Sequence, residues 1–360
     1  MTEGLRRLPA RGRSGRGVLA LGGSALGNLG RAVDDDQAAR TTERAWQCGL
    51  RWFDTAPHYG LGLSERRLGA ELRRHPPEEF VVSTKVGRLL VPEANPAAWD
   101  TEGFAVPGDL RRQWDFSPSG VERSLEASLS RLGLAAVDIA YVHDPDQAWA
   151  GAAREGLASL ARLKEAGVVK AVGIGTNATD GLAEIIRDGL VDVVMLANRY
   201  SLLDHTGLEP VLTPARRAGV AVVAAGVFAT GLLATARPRP GATYEYGPAS
   251  AEMVERAHRI ASVCDRHGVD LPAVALAFPL LHPAVVAVAV GMRSPDEVEE
   301  NRRRFDTDIP DGVWRDLVTE GLIEAGTVPV EQQPGEGGPQ SSGSLRGGSK
   351  RRRCHEETMW

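Results

Sequence analysis

Four side chains in the first half of the chain are of types that together move a proton. Asp54 follows the apolar pair Trp52-Phe53, and Tyr59 stands five residues on, in Thr55-Ala56-Pro57-His58-Tyr59-Gly60. Lys85 follows Phe80-Val81-Val82-Ser83-Thr84, and His143 follows the run over 137–142. A phenol, with a pKa of about 10, is a poor acid or base at neutral pH. A nearby ammonium favours phenolate and lowers that pKa, and a carboxylate keeps the ammonium charged and oriented. A neutral imidazole can align a substrate oxygen. Only four of the 42 basic residues are lysine, so a Lys after FVVST is informative. Arg would hold its charge, but its planar fork cannot share a small pocket as a compact ammonium does. The bland alternative for Asp54, Lys85 and His143 is a structural salt-bridge cluster, and Tyr59 in this context weighs against it.

These residues need a frame that brings strand ends together. Short, nearly all-apolar runs occur at 18–21, 51–53, 80–83, 137–142, 169–174, 191–196, 220–224 and 285–290, as expected of parallel strands covered on both faces. Segments of helical period lie between them. One opens at Asp34-Asp35-Asp36 and runs to about Gly49; another starts at Ser64; a third begins at Ser117-Pro118 and carries Val121, Leu125, Leu129 and Leu132 to Gly133. Acids or a cap at the start and glycine at the end are helix punctuation. Further helices are expected over 153–166, 179–188, 207–218, 249–267, 272–281 and 296–304. Eight βα units over about 300 residues predict an α/β fold, a single (β/α)8 barrel. A doubly wound sheet would want GxGxxG after its first strand, and Gly22-Gly23-Ser24-Ala25-Leu26-Gly27 lacks that spacing. In such a barrel the active site lies at the C-terminal ends of the strands. The long segment 88–115, with Trp99, Phe104 and Trp114, is expected to be a loop on that face, a substrate wall or lid.

Composition sets the remaining bounds. The chain has 360 residues, a net charge of -5, 42% hydrophobic and 25% charged residues. That excludes a disordered chain or a disulfide-rich mini-protein. Three scattered cysteines, Cys48, Cys264 and Cys354, argue against a zinc ribbon and favour a reducing cytoplasm. Residues 1–17 form a basic arm with five Arg against one acid, leaving an acidic barrel body over 18–325, which speaks against nucleic acid as partner. Residues 326–360, rich in Gly, Ser, Gln and Pro with a basic cluster at 350–353, are expected to be a disordered tail. Glycines break both the apolar start and the run over 218–236, so neither a secretory signal nor a membrane span is expected. His143-Asp144-Pro145-Asp146 near Asp54 could suggest a metal, but a single His is thin for a barrel site, and none is expected.

RWFDTAPHYGLGLSERRLG and the four residues in order and context resemble the aldo-keto reductase superfamily, over roughly residues 15–325. DFSPSGVERSLEASLSRLGLAAVDIAYVHDPD, ANRYSLLD and GVAVVAAGVFATGLLA are similar to its bacterial L-fucose/D-threo-aldose and galactose-type 1-dehydrogenases. The resemblance implies oxidation of the C1 hydroxyl of a free aldose to the lactone, with hydride passing to NAD or NADP. Tyr59 would take the proton, Lys85 and Asp54 would acidify it, and His143 would align the hydroxyl. It further implies that Asn177 bonds the nicotinamide carboxamide and that Tyr200 stacks on its ring. The loop with Gly226, Val227, Phe228, Gly231 and Leu232 would wrap the pyrophosphate. Gly291, Arg293 and Ser294 would hold the adenosine end, with Glu300 and Asn301 at the adenine and Gly22 and Gly23 along the first turn. This chain departs from the family where it has Ala197 for a common Gln and Gly226 for a common Ser. It also has Gly291 and Glu297 where NADPH-preferring members often carry Lys and Arg, which leans toward NAD. The partners implied are a small sugar or carbonyl, with neither nucleic acid nor membrane; the oligomeric state is left open. Two alternatives stand beside this reading: a general NADPH-dependent aldehyde or ketone reductase, and a non-catalytic cofactor-binding scaffold subunit.

Overall fold

The computed structural model describes residues 17–145, 149–238, 241–245 and 247–328. The basic arm over 1–16, Asp146, and the tail beyond Val328 with Cys354 lie outside the described residues. Each of the eight apolar runs forms a strand, and four further strands lie between them. In chain order the strands are β1 Val18–Gly22, β2 Trp52–Asp54, β3 Val81–Val86, β4 Arg88–Ala97, β5 Gly108–Trp114, β6 Val137–His143, β7 Val169–Thr176, β8 Val193–Ala197, β9 Ala221–Ala225, β10 Thr243–Tyr244, β11 Gly247–Pro248 and β12 Val285–Gly291. The helices are α1 Asp35–Gln47, α2 Leu63–Leu72, α3 Pro118–Leu132, α4 Arg154–Glu165, α5 Leu182–Arg187, α6 Thr213–Ala218, α7 Ala251–Arg266, α8 Leu271–Ala277, α9 Pro295–Phe305 and α10 Asp311–Thr319. A closed parallel barrel runs β1-β12-β9-β8-β7-β6-β3-β2.

Period-two alternation divides each strand between two cores. Val18, Ala20, Trp52, Val81, Ile139, Tyr141, Met195 and Val223 fill the barrel interior. Leu19, Leu21, Phe53, Val82, Val142 and Val222 face the helices. Trp52 and Tyr141 fit inside because Ala20, Ala171, Ala221, Ala287 and Ala289 face them from other strands. The helices start and stop where the sequence marks them. The Asp34 side chain accepts from Gln37 N at 2.6 Å and caps α1. Ser117 accepts from Gly120 N at 3.2 Å, Pro118 opens α3, and Gly133 ends it at φ 65°.

The structure differs from these expectations at the short β10–β11 pair and at two larger elements. The stretch 88–115 is not an open loop: β4 and β5 pair as an antiparallel hairpin, with Arg88 opposite Trp114 at its base. The charged and proline-containing sequence of this ribbon lacks the apolar alternation that marks a strand packed on a core. Helix α10, which the sequence reading did not include, buries Val313, Trp314 and Leu317.

Candidate active site

The same alternation that fills the barrel places one inward residue at the C-terminal end of every barrel strand. Going round the barrel, these are Gly22, Gly291, Ala225, Ala197, Gly175, His143, Lys85 and Asp54, and all eight line one cavity of 530 Å³. The ring is divided. Three adjacent strands, β6, β3 and β2, place polar side chains in this ring, and the other five place Gly or Ala there, with Thr176 of β7 and Met195 of β8 also lining the cavity. A flat group can therefore lie on the small side, facing the polar side. Tyr59 joins from the turn before α2, where its ring stands 6.1 Å from His143 and nearly perpendicular to it.

Lys85 Nζ donates to Asp54 Oδ2 at 2.7 Å and to the Thr55 carbonyl at 2.9 Å, and lies 4.6 Å from the centroid of the Tyr59 ring. Ser83 Oγ donates to the other Asp54 oxygen at 2.7 Å. Both members of this pair are buried. Burial opposes the Lys85 charge, but Asp54 and Tyr59 outweigh it, and the ammonium is held above its ordinary pKa. Burial pushes the Asp54 carboxyl upward against the pull of Lys85. The expectation for Tyr59 is corrected in direction. Burial raises its phenol pKa, and Lys85 recovers only part of that rise, because phenolate would be enclosed with little solvent. His143 is pushed well below 6.5, first by burial and then by the charges of Arg88 and Lys85, so it is neutral at pH 7. Its Nδ1 is buried without a hydrogen-bond partner. The arrangement is a buried acid–base relay, with a hydroxyl and a neutral imidazole at its exposed end.

A second cavity of 550 Å³ continues the first and shares Ser24, Leu29, Gly226, Thr230, Ala289 and Gly291 with it. Together they form a groove from the four polar groups to the start of α9. Of the sequence-selected cofactor residues, Gly22, Asn177, Gly226 and Gly291 line the first cavity. Val227, Phe228, Gly231, Arg293, Glu300 and Asn301 line the second, and Gly226 and Gly291 border both. Gly226 is needed as glycine: at φ 67° a Cβ there would run into the Asn198 side chain. Arg199 braces this region by donating to the Asn177 carbonyl at 2.8 Å and to Asp204 at 3.2 Å, and by pairing with Glu245 beside the β10–β11 hairpin.

Four selected residues line neither cavity. Tyr200 is 1% exposed and packs on Phe278 at 5.2 Å, and its ring borders neither cavity. Leu232 belongs to the outer core. Gly23 is a packing glycine, where a Cβ would meet Ser64 and the Asp54 carbonyl. Ser294 is turned inward as the α9 cap and accepts from Glu297 N at 3.2 Å. The Glu297 carboxylate accepts from Arg293 N at 2.9 Å, so this helix start is closed by its own side chains. Other lining residues were not singled out from sequence, notably Asn198, Thr230, Ser24 and Glu102. Asn198 and Thr230 sit at φ 63° and 56°. An Asn directly after the β8 run was the available signal, since Asn tolerates that backbone region.

The Aldo/keto reductase family model matches residues 18–319. The chain belongs to that family. It is an oxidoreductase whose cofactor is NAD or NADP. It is 44% identical to a D-threo-aldose 1-dehydrogenase of a Pseudomonas species, covering 88% of this chain and 98% of that protein. It is 38% identical to a pyridoxal 4-dehydrogenase of Microbacterium luteolum, over 87% and 97% of the two chains. A glycerol dehydrogenase of Gluconobacter oxydans shares the fold with a TM-score of 0.67 at 23% identity, covering 84% of this chain and 90% of that one. The groove fits a dinucleotide on the grounds of its two continuous cavities, of 530 and 550 Å³, and the Gly and Ala residues along the small side of the ring. Among the described residues no helix is long and apolar enough to cross a membrane, and no group of three or more His, Cys, Asp or Glu is placed to hold a metal.

Neutral buried histidines also set an acid limit. Burial first, then Arg88, lowers His58 to about 2, and burial with Arg216 lowers His282 to about 4. In the unfolded chain each titrates near 6.5, so below that pH the unfolded state binds protons that the folded state refuses. Stability is expected to be flat above about pH 7 and to fall from about 6.5 toward 4, by up to roughly 1.4 kcal/mol per pH unit for each such His. Urea midpoints measured across this range check it; a midpoint unchanged from pH 7 to 4.5 would contradict the neutral assignments.

Proposed function

We propose that this chain is an NAD-preferring aldose 1-dehydrogenase, oxidising the anomeric C1 hydroxyl of a free sugar to the lactone. One observation carries the reading: the buried Asp54–Lys85–Tyr59 relay and the neutral His143 stand together on the polar side of a cavity whose other side is lined by Gly and Ala. The likeness to a D-threo-aldose 1-dehydrogenase supplies the substrate class. When bound, the nicotinamide supplies the hydride acceptor. The chain supplies the rest. Asn177 and Asn198 hold the carboxamide side, and the Gly226–Gly231 loop lies along the pyrophosphate. The sugar C1 hydroxyl lies between Tyr59 and His143. His143, being uncharged, orients this hydroxyl without repelling the hydride donor carbon. Tyr59 first releases its own proton to solvent, Lys85, kept charged by Asp54, stabilising the phenolate; the phenolate then takes the hydroxyl proton and returns to phenol. Such an enzyme belongs in the cytoplasm, where free thiols such as Cys48 and Cys264 persist.

Preference for NAD follows from charge at the far end. Asp296, Glu297 and Glu300 border the adenosine cavity beside Arg31, Arg293 and Arg304, and Glu297 holds the Arg293 amide that a 2′-phosphate would seek. Arg304 is committed to Asp270 at 3.0 Å and Glu300 at 2.9 Å. A panel of free aldoses with NAD and NADP, followed at 340 nm, tests the function; turnover of no aldose would overturn it. Glu297→Ala is expected to move the NAD/NADP ratio of kcat/KM toward NADP by about tenfold, a change of roughly 1.4 kcal/mol. An unchanged ratio would remove Glu297 from cofactor choice.

A further inference from the structure

We propose that Glu102, in the turn of the β4–β5 hairpin, is the specificity-determining residue at the substrate end of the cavity. It selects neutral polyhydroxy substrates over those with an anionic group remote from the reacting carbon. The proposal rests on the aldose reading above and extends it to the part of the sugar far from C1.

The charges facing this end of the cavity are nearly all committed. Lys85 is bound to Asp54, Arg88 is paired with Asp144, and Arg112 is paired with Asp100. Glu102 lines the cavity with its side chain 47% exposed. The nearest basic nitrogens to its carboxylate are His58 Nδ1 at 3.6 Å, Arg112 at 3.7 Å and Arg88 at 3.9 Å. Arg112 and Arg88 are ion-paired with Glu102 beyond hydrogen-bond length, the His58 ring is uncharged, and since the same two guanidiniums also face Asp100 and Asp144, the cluster holds three carboxylates against two positive charges. The carboxylate therefore keeps acceptor sites for a ligand, and two neighbouring hydroxyls can donate to its two oxygens. A carboxylate or phosphate brought to the same place meets like charge instead. His58 Nδ1, buried and without a hydrogen-bond partner, adds a polar contact beside it. Phe104, with its ring 6.1 Å from that of Tyr59, supplies an apolar face for sugar C–H groups.

The position is fixed before any ligand arrives. Asp100 and Arg112 are buried, and Arg112 also donates to the His58 carbonyl at 2.8 Å, joining the hairpin to the turn that carries Tyr59. On the other side of Glu102, Gly30 N donates to the Gly103 carbonyl at 2.9 Å and Ala105 N to the Asn28 carbonyl at 2.9 Å. A carboxylate held at both flanks discriminates by charge and geometry rather than by moving to meet its ligand.

The experiment compares the intact protein with Glu102→Gln and Glu102→Lys. It measures kcat/KM with NAD for a neutral aldose and for the uronic acid of the same ring configuration. NADH affinity, read by fluorescence, reports that each variant is folded. Glu102→Gln is expected to narrow the aldose/uronate ratio by about tenfold, mainly through KM, and Glu102→Lys to narrow it further. Aldose turnover with the same ratio in all three proteins would overturn the role of Glu102 and leave the aldose reading standing. Absence of aldose turnover in the intact protein would overturn both.

Discussion

Replacing Tyr59 by Phe is expected to lower kcat for sugar oxidation by about 10³-fold, within the range typical of losing a general acid–base group. The substitution removes one oxygen. The ring keeps its neighbours Phe104 and His143, so the cavity wall stays in place. NADH binding should therefore stay close to that of the intact protein, and the loss should appear in kcat rather than in cofactor affinity. The structure makes the expectation stricter than the sequence does. Burial raises the phenol pKa, so Tyr59 is protonated at rest and can lose its proton only while Lys85 faces it. Steady-state rates beside a cofactor titration check this. Equal rates for the two proteins would remove Tyr59 from the chemistry.

Lys85→Met is expected to damage both stability and activity. It leaves Asp54 buried with only Ser83 to satisfy it. Breaking a buried pair from one side costs about 3–5 kcal/mol, and in a chain of this size that lowers the melting temperature by about 10 °C. What activity remains should have its acid limb moved to higher pH, because Tyr59 must be deprotonated to accept the sugar proton and the positive charge that pulls its pKa down is gone. The double variant Asp54→Asn/Lys85→Met separates the two effects. It removes the stranded carboxylate, so thermal stability should recover substantially while activity does not. Recovery of both together would mean that the pair only holds the barrel end in shape. Melting curves and pH–rate profiles of the three proteins are the measurements.

The strands and the four polar groups were legible because the same residues encode both. A parallel barrel strand is a short apolar run, and the first polar residue after it has to face the mouth or the helices. Asp54, Lys85 and His143 each sit an even number of residues beyond an inward core residue, Trp52, Val81 and Tyr141 respectively, so alternation alone carries them inward. The hairpin was less legible because it is built from charged and exposed residues held by cross-strand hydrogen bonds, and Trp99 and Trp114 are 63% and 52% exposed. Tyr200 was legible by resemblance, but its placement was not. It lies three residues beyond β8, but the chain has left the cavity by then, and its ring joins Phe278 and His282 in the outer core. Asn198, two residues earlier, lines the cavity because its backbone turns through φ 63°, a feature that hydrophobic period does not record. The capping role of Glu297 was legible in Ser294-Pro295-Asp296-Glu297, which has capping-box spacing, but the amide its carboxylate reaches, that of Arg293, was not.

The base of the β4–β5 hairpin has a consequence for how such a protein can change. Arg88 and Trp114 face each other in register, so the segment leaves the barrel and returns to it at nearly one point, between the end of β3 and the start of α3. A segment with adjoining feet behaves as a cassette. Its length and sequence can drift with little effect on barrel closure, because closing a loop grows costly only slowly with length. The proton-transfer residues stand on the barrel and its β2–α2 turn, while Glu102 and Phe104 stand on the cassette. Under the function proposed above, substrate range and chemical step would be carried by separately variable parts of one chain, and exchanging the cassette between relatives, with the Arg112–His58 link kept, would be a direct route to new sugars.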